Sequence, residues 1–85
     1  MPEIEVYSRS HCGPCVLAKR LLEQKGVAFI EHDLGDDRSL TAEMIGRSGG
    51  LITVPQIFIG GRHIGGYAEL AGLERRGALD AMLSG

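Results

Sequence analysis

Both cysteines of this 85-residue chain lie in one Cys-x-x-Cys, Cys12-Gly13-Pro14-Cys15, and the hydrophobic pattern changes period across it. Before it, residues 3–8 alternate with a period of two, Ile4 and Val6 sharing a face, which predicts a strand. After it, Val16, Leu17, Leu21 and Leu22 recur at helical spacing with Lys19 and Arg20 off the stripe, and Gly26 supplies a stop, predicting a helix over 13–25. The pair therefore sits where a strand passes into the first turn of a helix. Backbone N–H groups there lack intrahelical partners and favour a thiolate. A Cys-x-x-Cys in that context is a thiol–disulfide redox signature.

Two other uses of the cysteines compete. A structural bridge closing a loop of about four residues would stabilise the fold by only about 2 kcal/mol on the chain-entropy account. Structural zinc needs four ligands, yet there is no second Cys-x-x-Cys, and His11, His32 and His63 form no recognised spacing, so no metal is expected.

The rest of the chain continues the alternation of strand and helix. Residues 27–32 are a second short apolar run, and the turn-rich Asp33-Leu34-Gly35-Asp36-Asp37 follows. Leu40, Met44 and Ile45 then predict a helix over about 37–47, with Arg47 in its last turn where a cation suits the helix dipole. Gln56-Ile57-Phe58-Ile59 reads as a third strand after Pro55, and Gly60-Gly61 turns a hairpin into Arg62-His63-Ile64. Beyond Gly65-Gly66, Leu70, Leu73, Leu79 and Met82 predict one or two helices, weakened by Gly72 and Gly77. The order β-α-β-α-β-β-α predicts an α/β fold: one domain over 1–85, with a four-stranded mixed sheet carrying helices on both faces.

Composition narrows the partners. A formal charge of −2, no tryptophan and two each of Phe and Tyr give no basic or stacking surface for nucleic acid. No apolar run approaches the roughly 20 residues that cross a bilayer. The start, Met1-Pro2-Glu3, lacks a basic region followed by an apolar one, so a cytoplasmic location and no membrane partner are expected.

Three separated motifs now coincide: Cys12-Gly13-Pro14-Cys15 after the first strand, Thr53-Val54-Pro55 before the third, and Gly65-Gly66-Tyr67 after the fourth. Together they make the chain resemble a glutaredoxin of the dithiol type, from about Ile4 to Leu83. The resemblance implies a thioredoxin fold, no tightly bound cofactor, glutathione as the reducing co-substrate, and disulfide-containing or glutathionylated proteins as substrates. A monomer is expected. It also implies that Cys12 attacks and Cys15 resolves, and that Pro55 is a cis-proline opposite the cysteines. Val54 would then pair its backbone with a peptide-like ligand beside Thr53. Arg9 aligns with the family's basic residue near the glycyl carboxylate of glutathione. The amides at Gly66, Tyr67 and Ala68 align with a helix start that holds the γ-glutamyl carboxylate.

The sequence departs from the family at two places on the glutathione side. Ala68 has no side chain to hold the ligand's ammonium group, which makes Glu69 a candidate substitute. Gly13-Pro14, where dithiol glutaredoxins usually carry Pro-Tyr, is the pair of thioredoxins. Pro14 lacks an N–H, so one donor to the Cys12 sulfur is missing. That predicts a Cys12 pKa near thioredoxin's value of about 7. It also predicts a potential shifted from the glutaredoxin range of about −200 to −230 mV towards about −270 mV. Gly13-Pro14 favours one alternative, a thioredoxin-like electron donor reduced by a flavoprotein reductase; the resemblance supplies another, a dimer holding a [2Fe-2S] cluster, against which Pro14 and the resolving cysteine weigh.

Overall fold

The computed structural model describes residues 2–85, and its organising element is the strand β1 (Ile4–Ser8), which is buried from both sides. β1 pairs in parallel with β2 (Ile30–Asp33) and antiparallel with β3 (Gln56–Ile59), and β3 pairs antiparallel with β4 (Arg62–Gly65). The strand order β2-β1-β3-β4 makes a four-stranded mixed sheet. The helices are α1 (Gly13–Gln24), α2 (Arg38–Arg47), α3 (Tyr67–Arg75) and α4 (Leu79–Ser84).

Alternation along β1 divides the core in two. Ile4 and Val6 face Ala18 and Leu22 of α1, Leu70 of α3, and Leu79 and Leu83 of α4, together with Ile57 and Ile59 of β3. Tyr7 points the other way and packs with Leu34, Met44 and Phe58 beneath α2. The expected sheet with helices on both faces is therefore observed.

The apolar stripe predicted for α1 is out of phase. Its buried residues are Cys15, Ala18 and Leu22, with Leu21 partly covered, whereas Val16 and Leu17 are 46% and 42% exposed. Burial of Cys15 at the first turn fixes the phase of the helix. Ala18 and Leu22 fall on its face at i+3 and i+7, and Val16 and Leu17 rotate outward. The second strand is also shorter than the apolar run of residues 27–32. Val27 and Phe29 pack on the core from the connecting segment, and pairing with β1 begins only at Ile30 on this edge strand.

Gly60 and Gly61, at φ 60° and 80°, connect β3 to β4 with the two positive φ values that a tight hairpin of matching twist requires. The polar side of the sheet is tied together by Arg47. Its guanidinium donates to both Glu5 carboxylate oxygens at 2.9 Å and to the Tyr7 hydroxyl at 2.7 Å, and lies 4.1 Å from the centre of the Phe58 ring. Tyr7 in turn donates to Glu43, while His32 Nε2 lies 3.0 Å from Glu5. The cation in the last turn of α2 is thus an anchor of that helix to the sheet as well as a complement to its dipole.

The Arg47 guanidinium holds the Glu5 carboxyl below its ordinary value near 4.5, against the opposing effect of burial. A folded-state value below the unfolded one means that the unfolded chain binds more protons between the two. This contribution is complete above about pH 5 and is lost as pH falls through the folded value. Urea midpoints measured from pH 7 to pH 3 should therefore fall less steeply in Glu5→Gln than in the parent chain. At pH 7, Arg47→Ala should cost about 2 kcal/mol, since it strands partly buried acceptors that are not fully desolvated.

Candidate active site

The site begins where β1 ends. His11 adopts φ 56°, a left-handed conformation uncommon outside glycine, and Cys12 follows in extended conformation as the N-cap of α1. Cys12 and Cys15 are joined as a disulfide with Cα atoms 5.2 Å apart. The two sulfurs occupy different surroundings: Cys12 is half-buried, whereas Cys15 is 1% exposed beneath the first turn.

The Cys15 N–H donates to the Cys12 sulfur at 3.1 Å, so the nucleophile candidate takes the place of a capping side chain. Pro14 occupies the second helical position, which in other helices can supply an N–H to the cap, and here has none to give. The helix start therefore offers the sulfur one amide at the third position.

Opposite lies the loop before β3. The Val54–Pro55 peptide bond is cis, and the Val54 carbonyl oxygen is 3.9 Å from the Cys12 sulfur. A groove of about 370 Å³ runs from this loop to the start of α3, lined by Pro14, Thr53, Val54, Pro55, Gly66, Tyr67 and Ala68, with Leu51, Gln56 and Glu69 completing it. Seven residues nominated from sequence are thus brought together from three separated motifs. Arg9 is exposed on the β1–α1 loop and does not line that groove.

At the far end, Gly66 caps α3, and its own N–H donates to Glu69 Oε1 at 2.7 Å. Gly65, at φ 120°, leaves room for this carboxylate: a Cβ there would sit 2.8 Å from the same oxygen. Glu69 therefore caps the helix through Oε1 while it remains exposed on the groove lining. The amides of Tyr67 and Ala68 remain at the helix start, with the Ala68 side chain exposed.

Sequence reasoning passed over Gln56. It is 2% exposed, and its amide donates to the Thr53 carbonyl at 3.1 Å and to the Thr53 hydroxyl at 3.2 Å. The signal was available: a glutamine opening an otherwise apolar strand has to find partners if it is buried.

Comparison with known proteins agrees with this geometry. The family model described as Glutaredoxin matches residues 4–64. A curated glutaredoxin of Pseudomonas aeruginosa is 46% identical over 84 residues, covering 99% of each chain. Glutaredoxin 3 of Escherichia coli K12 is 46% identical over 83 residues, covering 98% of this chain and 99% of the relative. Among solved structures, a buckwheat glutaredoxin–glutathione complex superposes with a TM-score of 0.86 at 34% identity, covering 98% of this chain and 77% of that one. The glutaredoxin of Brucella melitensis gives 0.84 at 46% identity, covering 98% of this chain and 89% of that one.

Replacing Pro14 by Ala restores an N–H at the second helical position. One further hydrogen bond to a thiolate, at about 1.5 kcal/mol, should lower the Cys12 pKa by about one unit. It should also raise the reduction potential by about 20 mV. Thiolate absorbance against pH and equilibration with glutathione buffers read the two values. An unchanged pair would show that the missing amide does not govern the sulfur.

Proposed function

The chain belongs to the glutaredoxin family and is a thiol–disulfide oxidoreductase, and from that premise we propose that it uses cytoplasmic glutathione to reduce glutathionylated proteins and protein disulfides. The observation that carries this reading is the asymmetry of the cysteine pair. The half-buried Cys12 faces the groove wall at Val54, and the buried Cys15 lies directly behind it.

With a glutathionylated protein, the Cys12 thiolate attacks the glutathione sulfur. The protein leaves as a thiolate, and a Cys12–glutathione disulfide forms. A second glutathione thiolate then attacks the glutathione sulfur of that disulfide, regenerating the Cys12 thiolate and releasing oxidised glutathione. With a protein disulfide, Cys12 first forms a mixed disulfide with the protein. The Cys15 thiolate then attacks the Cys12 sulfur, expels the reduced protein and leaves the Cys12–Cys15 disulfide, the form seen in the structure. Two glutathiones reduce it. Each exchange is favoured by a low-pKa leaving sulfur and by access to the sulfur attacked.

The groove supports glutathione as the ligand in three ways. The backbone of Val54 offers strand-type pairing to a short peptide beside the reacting sulfur. The first amides of α3, at Tyr67 and Ala68, offer an anion site at the other end. The structural relative from buckwheat is described in complex with glutathione. Arg9 would meet the ligand's remaining carboxylate from the β1–α1 loop, and Pro14 and Thr53 would border the ligand's middle.

Cys15→Ser should retain reduction of a glutathionylated peptide within about threefold and lose reduction of a protein disulfide by at least tenfold, because only the second route needs the resolving thiol. Equal loss of both would overturn these roles. Turnover with glutathione and its reductase should exceed turnover with thioredoxin reductase. The reverse would favour the thioredoxin-like electron donor that Gly13-Pro14 invites, and visible absorption in anaerobically purified protein would favour the cluster-holding dimer.

A further inference from the structure

We propose that Gln56 and His63 are positioning residues for the ligand grip, acting through Thr53; the proposal rests on the glutathione reading above. The three residues form a continuous relay from β4 across β3 to the groove. His63 Nε2 is 2.7 Å from Gln56 Oε1, and the Gln56 amide nitrogen reaches both the carbonyl and the hydroxyl oxygen of Thr53.

The chemistry of the partners fixes every proton in this relay. The Thr53 carbonyl can only accept, so the –NH₂ end of Gln56 must face it and Oε1 must face His63. Oε1 also only accepts, so His63 carries its proton on Nε2. At the other end, the Thr53 hydroxyl accepts from Gln56 and retains its own proton to donate. Thr53 is exposed and lines the groove, which leaves that proton free to be donated to an acceptor on the ligand.

The packing holds the relay in this setting. Gln56 is 2% exposed and Phe58 1%, and the His63 ring lies 5.1 Å from that of Phe58, its cross-strand partner. The Arg47 guanidinium also packs on Phe58, 4.1 Å from its ring centre. A displaced Gln56 side chain would have to leave buried polar groups unpaired, which is costly. The Gln56 amide also spans from one side of Val54-Pro55 to the other, joining Thr53 to the first residue of β3. The backbone of Val54, which would pair with the ligand, is thereby bracketed between two tied residues. The side-chain hydrogen bonds of Gln56 run to Thr53 and His63 and not to the cysteines, so its effect is placed in binding rather than in the exchange step.

The test is a double-mutant cycle with a glutathionylated peptide as substrate. Gln56→Leu should raise KM about tenfold while kcat stays within twofold, the split expected when binding common to ground and transition states is lost. In a Thr53→Val background the same change should raise KM no more than about threefold, because the hydroxyl through which Gln56 acts is already absent. His63→Phe should raise KM about threefold alone and have no added effect beside Gln56→Leu. Full additivity, or loss of kcat at constant KM, would overturn the proposal. If Gln56→Leu does not fold by circular dichroism, His63→Phe and Thr53→Val form the same cycle. If the parent chain turns over a plain peptide disulfide and not the glutathionylated peptide, the glutathione reading fails. The relay is then judged by the same cycle on the peptide disulfide, which Val54 and Thr53 would also grip.

Discussion

Burial of Cys15 is the constraint from which the site follows. A helix has one rotational phase, and placing a sulfur 1% exposed at its first turn sets that phase for α1. Ala18 and Leu22 are carried into the core, the Cys15 amide is delivered to the Cys12 sulfur, and Cys12 is left at the rim. The same rotation turns Val16 and Leu17 to the surface, where an apolar count alone would not put them. Packing and reactivity are therefore one arrangement: the side chain buried in the core is also one sulfur of the redox pair, held behind the half-buried Cys12.

The two faces of the sheet serve different ends. Beneath α1 and α3 the core is wholly apolar and gains its stability from area removed from water. Beneath α2, Tyr7 and Phe58 share their surroundings with Glu5, His32, Glu43 and Arg47. Burial raises the Tyr7 pKa and keeps it a neutral donor to Glu43, while Arg47 neutralises Glu5. Such polar contacts are directional, so they fix side-chain positions where apolar packing would tolerate slippage. The loop that carries Thr53 and the cis Val54–Pro55 bond is attached to this polar side through Gln56.

The sequence carried the architecture because its signals were local: alternation at Ile4 and Val6, paired glycines at 60 and 61, and a stop at Gly26. The three motifs of the site were legible as well, since each is contiguous, and the fold needed only to bring them together. What stayed hidden depended on three-dimensional partners. Tyr7 could be read as the solvent face of a strand, because nothing next to it announces α2 as its cover. Arg47 could be explained by the dipole of its own helix, and its bonds to Glu5 and Tyr7 span 42 and 40 residues. The capping role of Glu69 appears only in three dimensions, where its oxygen lies 2.7 Å from the Gly66 amide. The phase of α1 was missed because Val, Leu and Cys are all apolar, and periodicity could not tell which of them turns inward.

These placements separate two properties that a redox protein must set. The stability of the Cys12 thiolate depends on the first turn of α1, where Pro14 withholds an amide and Cys15 supplies one. In the proposed function ligand recognition would fall to Thr53 and Val54 across the groove and to the start of α3; Thr53 and Gly66 are tied to Gln56 and Glu69, while the Val54 carbonyl oxygen lies 3.9 Å from the Cys12 sulfur. Pro14 belongs to both parts, since it withholds an amide from the sulfur and also lines the groove, so a change there moves the reduction potential and alters the groove wall together. A change behind Thr53 can weaken the grip while the sulfur chemistry stays as it is. A thioredoxin-like Gly13-Pro14 set beside glutaredoxin-like motifs at 53–55 and 65–67 is physically consistent, because the Gln56–Thr53 and Glu69–Gly66 hydrogen bonds behind the groove are separate from the amide that Cys15 gives to the Cys12 sulfur.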